Sequence, residues 1–447
     1  MQSNEIAKEF NLKSLLKFAL PTVAMMVLLN LYTMVDGIFV TRFIGTNAAS
    51  SINIIWPFVN LTMGIGIMLA TGGTAVVAKK LGENKEKEAL SDFTFLSIVG
   101  LIISIIIAVF GLIFLEDIAL ILGATPILLE GACVYGFYWI LLTPLTIMKS
   151  IFEYFFVTAG RPKLGLLTSV MGGLTNVVLD YLLIVVLEFG IGGASLASVM
   201  SELLPCVIGF IFYCNKKNTI HFTRPACHLR TLFKSCSIGF SEMITNVSTG
   251  IITFLFNIAL LHYAGEDGVA AICIIIYIDA LMIGLCLGFT TGVAPVISYN
   301  YGSKNLSQIR RLIRYCLTLM GIFSLAAFLL IEAASPLLIG IFVDAGTHVY
   351  NIGLIGLRIY ALGFVLKGFN TFIAGMFAAF SNGPVSALLS FLKNLALPAA
   401  GILLLPSVLE LTGIWMAVPT AEAITFIVAV ILFFAFSKRY GYSRKAS

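Results

Sequence analysis

Charge is what this chain has least of. Asp, Glu, Lys and Arg make up only 11% of its 447 residues, where soluble domains carry about a quarter. Hydrophobic residues make up 59%, and the mean hydropathy is +1.03. That balance excludes a soluble fold and reads as an all-α polytopic membrane protein. Histidine is scarce as well: the four, at 221, 228, 262 and 348, fall in loops or at helix ends, so no histidine relay crosses the bilayer. The eight cysteines show no C-x-x-C or Cys/His ligand spacing and read as small hydrophobes. No nucleophile, metal set or acid/base cluster faces one membrane surface, which argues against an enzyme and calls for no cofactor. The net charge of +5 lies in loops between apolar runs, where its role is topological, so no nucleic-acid partner is called for. The apolar run behind the lysine-bearing N-terminus is too long for a signal-peptide core, and the first helix is expected to stay.

What is present is length. With about 20 apolar residues per crossing, the sequence divides into twelve spans. The first six are 15–38, 51–78, 93–115, 131–155, 164–187 and 192–213; the second six are 235–262, 269–298, 312–332, 349–377, 385–406 and 411–436. Lysines and arginines concentrate in both tails and in the 2/3, 4/5, 6/7 and 8/9 loops, while the opposite loops are acidic with Arg42 as the clear exception. By the positive-inside rule both termini are cytoplasmic.

The two halves repeat at about 220 residues. Gly64, Thr71, Gly72, Gly82, Gly193 and Glu202 recur as Gly284, Thr291, Gly292, Gly302, Gly413 and Glu422. Six spans per half is an even number, so both halves enter the membrane in the same sense. This predicts two six-helix lobes, 1–213 and 235–447, related by a parallel pseudo-two-fold and joined by a cytoplasmic linker, 214–234. A cavity between the lobes is the expected binding place.

Within this apolar frame a few polar residues stand out. Span 1 runs uncharged for eighteen residues after Lys17 and then places Asp36 at membrane depth, behind Pro21. A buried acid is costly and therefore a functional candidate, and a helix-interior proline can kink its helix. At 1.5 Å per residue, Asp36 lies about 30 Å along span 1 and Asp180 about 24 Å along span 5, both in the outer half. Asn176 shares a face with Asp180, and Ser198 lies about 9 Å below the outer end of span 6. Two carboxylates with amide and hydroxyl oxygens suit a hard monovalent cation such as sodium at Asp36, Asn176 and Asp180, or a shared proton; the alternative is hydrogen bonding for packing alone.

Elsewhere, Asp279 near the midplane reads either as a counter-charge for a cationic cargo or as half of a structural pair, and Glu202 and Glu422 carry the same two readings. Gly284, Gly288 and Gly292 read as a close-packing stripe. Glu242 and Lys393, at similar depth, are expected to pair, and Lys149 with Glu153 to form an intrahelical bridge. Arg358 and Lys367 have no evident partner, which keeps an anionic cargo open. Among the membrane aromatics, Tyr138 and Tyr277 are candidates to stack on an organic cation.

The proline of span 1 followed by V-D-G at 35–37, the N-V-V-L-D run at 176–180, the A-G-R-P-K turn after span 4 and the twelve-span parallel repeat together resemble the multidrug and toxic compound extrusion (MATE) family, and within it the DinF-like and MepA-like bacterial branch. The resemblance implies two lobes in a V and antiport of cationic or amphipathic drugs against sodium ions or protons, in a bacterial cytoplasmic membrane, by a monomer. It also implies coupling at Asp36, Asn176 and Asp180, and bending at Pro21. Two departures stand: span 10 has no carboxylate, which favours coupling through the first lobe, and span 4 lacks the asparagine of that branch, leaving Thr143, Thr146 and Ser150. A flippase for a lipid-linked saccharide, or an exporter of an endogenous metabolite, is the alternative. The repeat mates of Pro21 and Asp36 are Ser241 and Phe256, so the coupling half is expected to be the first.

Overall fold

Apolar runs in hydrocarbon must satisfy their own backbone amides, and the helix does this within one segment. The computed structural model describes residues 5–44 and 46–442, apart from the side chains of 33–38, 41, 42, 46, 47 and 49, and contains no strand among the described residues. The first half comprises α1 (Leu12–Phe39), α2 (Thr46–Gly82), α3 (Glu86–Ile113), α4 (Pro126–Leu141 with Thr143–Thr158), α5 (Pro162–Asp180, continued by the π-turn Tyr181–Val186) and α6 (Gly190–Met200 with Leu203–Cys214). The second half opens with one helical stretch, Leu229–Gly302, broken at Gly265 by a φ of 64° and ψ of −156°. Glycine adopts that conformation without a Cβ clash. The segment before the break is α7 and the segment after it α8. There follow α9 (Leu306–Gly340), α10 (His348–Ala361 with Phe364–Ala379), α11 (Gly383–Phe391 extended through Leu397–Leu404) and α12 (Pro406–Tyr440).

Among the described residues nine helices are long and apolar enough to cross a membrane, and α4 and α10 add two bent crossings, at 52° and 47°. One of the nine holds both α7 and α8, so the crossings number twelve, as the sequence predicts. The ends agree with an even count. Gln308 Nε2 donates to Phe10 O at 3.2 Å and Arg310 Nε to Gly441 O at 2.9 Å, which places both termini and the α8/α9 turn at one end of the bundle.

The repeat is visible in the backbone itself. The bends of α4 and α10 fall at Leu142 and Leu362, and left-handed residues recur as Asn84 and Lys304, Gly160 and Ser381, and Glu188 and Glu410. The seam between lobes obeys the same symmetry. A Cβ on Gly82 would lie 2.0 Å from Tyr299 O and one on Gly302 would lie 2.0 Å from Lys79 O, and 299 and 302 follow 79 and 82 by 220 residues. Higher in the seam, a Cβ on Gly72 would sit 1.8 Å from Ser235 O and one on Gly239 would sit 1.9 Å from Met68 O. The stripe at Gly284, Gly288 and Gly292 packs α8 on α1 at Asn30, Val23 and Thr22, which bears out its packing role. Each lobe holds its own aromatic core, around Phe93, Phe155 and Tyr213 in the first and Phe289, Phe372 and Phe377 in the second. Because lipid tails are as apolar as these side chains, association rests on close packing and polar contacts.

The lobes part toward the end opposite the termini. On the seam face of α7, Gly239, Met243 and Asn246 meet α2, but a Cβ on Gly250 would have no neighbour within 4 Å. The seam face of α2 continues from Gly64 to the half-buried Asn60 and the exposed Asn53. The walls of this opening therefore offer amides on α2, with Thr253 and Asn257 continuing the face of α7. The connection between lobes is an ordered strap: Thr223 N donates to Thr94 Oγ1 at 3.0 Å, Ala226 N to Ser91 Oγ at 2.8 Å, and Phe222 stacks on Phe93. It ends on Asp92, which is fully buried and meets Lys80 Nζ at 2.6 Å and His228 Nδ1 at 3.0 Å.

Candidate functional site

Helices α1 and α5 lie side by side and run in the same direction. Positions that would carry a Cβ on Gly165 and Gly173 meet Met25 at 3.6 Å and Tyr32 at 3.2 Å respectively. Small residues on α5 allow this approach. Further along α5, Asn176 and Asp180 stand one turn apart and are 1% and 0% exposed. Asn176 Oδ1 accepts no hydrogen bond among the described residues. On α6, Ser198 Oγ donates to Ala194 O at 3.0 Å. The side chain of Asp36 lies outside the described residues. Pro21 is buried within α1, whose helical backbone continues through it.

Deeper in the first lobe, a charge triad spans α4 and α6. Lys149 Nζ stands 3.4 Å from Glu153 Oε2, the expected intrahelical bridge, and also 3.7 Å from Glu202 Oε1. Ser169 on α5 donates to Glu153 Oε1 at 2.8 Å. The repeat mate of Glu202 is differently placed: Glu422 Oε2 accepts from Asn370 Nδ2 at 2.7 Å.

The second lobe resolves several expectations. Asp279 takes the structural alternative: it pairs with Lys367 and accepts from Tyr360 Oη at 2.8 Å, buried among α8 and α10. Lys367, expected to lack a partner, therefore has one. Arg358 likewise meets Glu332 at 3.9 Å and donates to Ser335 Oγ at 3.2 Å, both on α9. Both cations are engaged within their own lobe, which removes the basis for reading them as an anionic-cargo site. Glu242 and Lys393, expected to pair, do not come within 4.0 Å of each other, although they stay near enough to attract across the lobe. Lys393 Nζ instead donates to Thr371 Oγ1 at 2.6 Å, since α10 stands nearer to α11 than equal depth along separate helices can reveal. Of the aromatic candidates, Tyr138 packs against Gly192 on α6, and Tyr277 stacks on Phe342 at 6.2 Å. Neither contact crosses the seam. Sequence reasoning passed over Asp92, one residue before span 3, and over Asn370, whose spacing of three from Lys367 was the available signal.

Known proteins agree with this architecture. The profile of the MatE family matches residues 21–182 and 242–399. The chain is 23% identical over 439 residues to the "Multidrug export protein MepA" of Staphylococcus saprophyticus subsp. saprophyticus, covering 96% of this chain and 94% of that protein. It is 22% identical over 446 residues to the protein of the same name from Staphylococcus aureus, again covering 96% and 94%. Among solved structures, an outward-facing multidrug resistance MATE family transporter of the MOP superfamily superposes with a TM-score of 0.92 at 20% identity, over 99% of both chains. A MATE transporter in complex with MaD3S gives 0.92 at 19% identity, over 99% of this chain and 100% of that one. The structural likenesses speak for the fold, and the profile, lying across both lobes, speaks for descent: this chain belongs to the multidrug and toxic compound extrusion family of membrane transporters.

Proposed function

We propose that the protein is a cation-coupled antiporter exporting organic cations or amphipathic drugs by alternating access, driven by a proton or sodium ion at Asp36, Asn176, Asp180 and Ser198. The observation that carries this reading is the register of α1 on α5. Met25 and Tyr32 face Gly165 and Gly173, and continuing that parallel register carries residue 36 alongside residue 177, between the buried Asn176 and Asp180. Carboxylate and amide oxygens gathered away from water are the donors a hard cation prefers, and an acid held at membrane depth has few other roles.

Antiport requires that cargo and ion disfavour each other's state. Bending of α1 at Pro21 is the proposed link, because α1 touches both the coupling cluster through α5 and the other lobe through α8. The cargo enters between the lobes, where the walls carry Asn53 and Asn60, and curated relatives named as multidrug export proteins support the cargo class. The basic end that carries both termini is the cytoplasmic one by the positive-inside rule, in a bacterial cytoplasmic membrane, with the monomer as the working unit. Proteoliposomes loaded with a fluorescent cationic dye, under sodium and proton gradients imposed separately, test this. Asp36→Asn and Asp180→Asn should abolish gradient-driven export, and export at the parent's rate in both variants would refute the assignment.

A further inference from the structure

The triad of the first lobe has one carboxylate too many. Lys149 supplies one positive charge against Glu153 and Glu202, all three are buried, and an unmatched buried charge is far costlier than a matched pair. The contacts differ between the two acids. Glu153 accepts from Ser169 at 2.8 Å and lies nearer to the ammonium, at 3.4 Å. Glu202 Oε2 makes no well-formed hydrogen bond among the described residues, and the group beside it is the Thr146 hydroxyl, which makes none of its own elsewhere. A carboxylate only accepts hydrogen bonds, whereas a carboxylic acid can donate one. A proton on Oε2 removes the surplus charge, and the Thr146 hydroxyl, which can both donate and accept, can bond Oε2 in either state.

Beside these groups lies a small cavity with room for about one water molecule, lined by Leu29 and Tyr32 of α1 and by Lys149, Ser169, Ser201 and Glu202. The ammonium beside it repels a metal cation, whereas a proton on Glu202 leaves one buried anion, Glu153, matched to one buried cation, Lys149. The titratable and charged groups that face Glu202 are Lys149 and Glu153 on α4, Tyr32 on α1 and Cys206 on α6, while α5 brings the Ser169 hydroxyl. Asp36 follows Tyr32 by one turn on α1, and Asp180 lies further along α5.

We propose that Glu202 is a proton-binding site of the first lobe, separate from the Asp36 cluster, occupied while Leu29 and Tyr32 of α1 close its cavity and emptied when α1 withdraws and water enters. The proton moves between Glu202 Oε2 and water admitted to the cavity; no bond other than O–H changes. The inference does not depend on which ion Asp36 and Asp180 bind.

Infrared spectra of the full chain in nanodiscs, taken as a pH titration, provide the test. Glu202→Gln, an isostere of the neutral acid, should fold and melt with the parent at neutral pH and lose one carboxylic-acid carbonyl band. Glu153→Gln should lose the same band, because Glu202 then becomes the only counter-charge for Lys149 and ionises. Tyr32→Ala should move the titration of that band to lower pH by opening the cavity to water. Asp36→Asn and Asp180→Asn should leave the band in place, so a failure of the coupling assignment is distinguishable from a failure here. Retention of every neutral-acid band in Glu202→Gln would overturn the proposal, as would a Glu202→Gln protein that no longer folds at neutral pH, or a Glu153→Gln protein that keeps the band.

Discussion

The seam between α2 and α7 makes a demanding prediction about a single methyl group. In Gly239→Ala the new Cβ would stand 1.9 Å from Met68 O and 2.7 Å from Met68 C. Both neighbours are backbone, so no side chain can swing away. An ordinary carbon to carbonyl-oxygen contact is about 3.3 Å, so the helices must separate by roughly 1.4 Å or distort. Overpacking of this kind costs about 1–3 kcal/mol, equivalent to roughly a 5- to 150-fold shift away from the arrangement in which the seam is closed. Because the seam is pseudo-symmetric, Gly82→Ala, with its Cβ 2.0 Å from Tyr299 O, should act the same way from the other lobe. Spin labels at Lys85 and Ser307, in a cysteine-free background, would report the distance between lobes at the end that carries the termini. The parent should give one short distance, and both variants should gain a longer population. Gly250→Ala is the control: nothing lies within 4 Å of its Cβ, and alanine is favoured over glycine in a helix interior by about 1 kcal/mol, so its distances should match the parent's. A Gly239→Ala protein with the parent's distance distribution would refute the argument that backbone contact closes the seam.

Two further outcomes follow from buried charge. Lys367→Met should lower detergent-phase stability by about 3–5 kcal/mol by leaving Asp279 without its cation, and adding Asp279→Asn should restore much of the loss in thermal melts; equal melting of single and double variants would contradict the pairing. Asp92→Asn should loosen the strap between lobes by about 1–3 kcal/mol, since Lys80 and His228 lose their shared anion, and should raise proteolysis between Cys214 and Leu229; unchanged cleavage would show that the strap is held by Phe222 and its backbone bonds alone.

The fold was legible in the sequence at nearly every level. Span count follows from apolar length, because hydrocarbon leaves the backbone no alternative to helix. The repeat is readable because the same crowded backbone crossing occurs twice, and only glycine fits it at 82 and at 302. Asn176 and Asp180 were legible as a pair because helical spacing of four puts them on one face before any tertiary contact is known, and both prove to be buried.

Partners across helices were not legible. Equal depth suggested Glu242 for Lys393, but depth says nothing about rotation about a helix axis or about which neighbour stands closer, and Lys393 turns to Thr371. Lys367 and Arg358 seemed isolated because their partners lie 88 and 26 residues away, on α8 and α9. The sequence by itself determined which residues leave water, how many times the chain crosses and which end gathers the basic loops, since these depend on transfer of each segment from water to lipid. Only the tertiary structure decided which buried charges meet, that Asp279 is neutralised within its lobe, and that Lys149 faces two carboxylates. Those depend on helix rotation and on distances of a few ångström, to which a one-dimensional pattern of polar residues is blind.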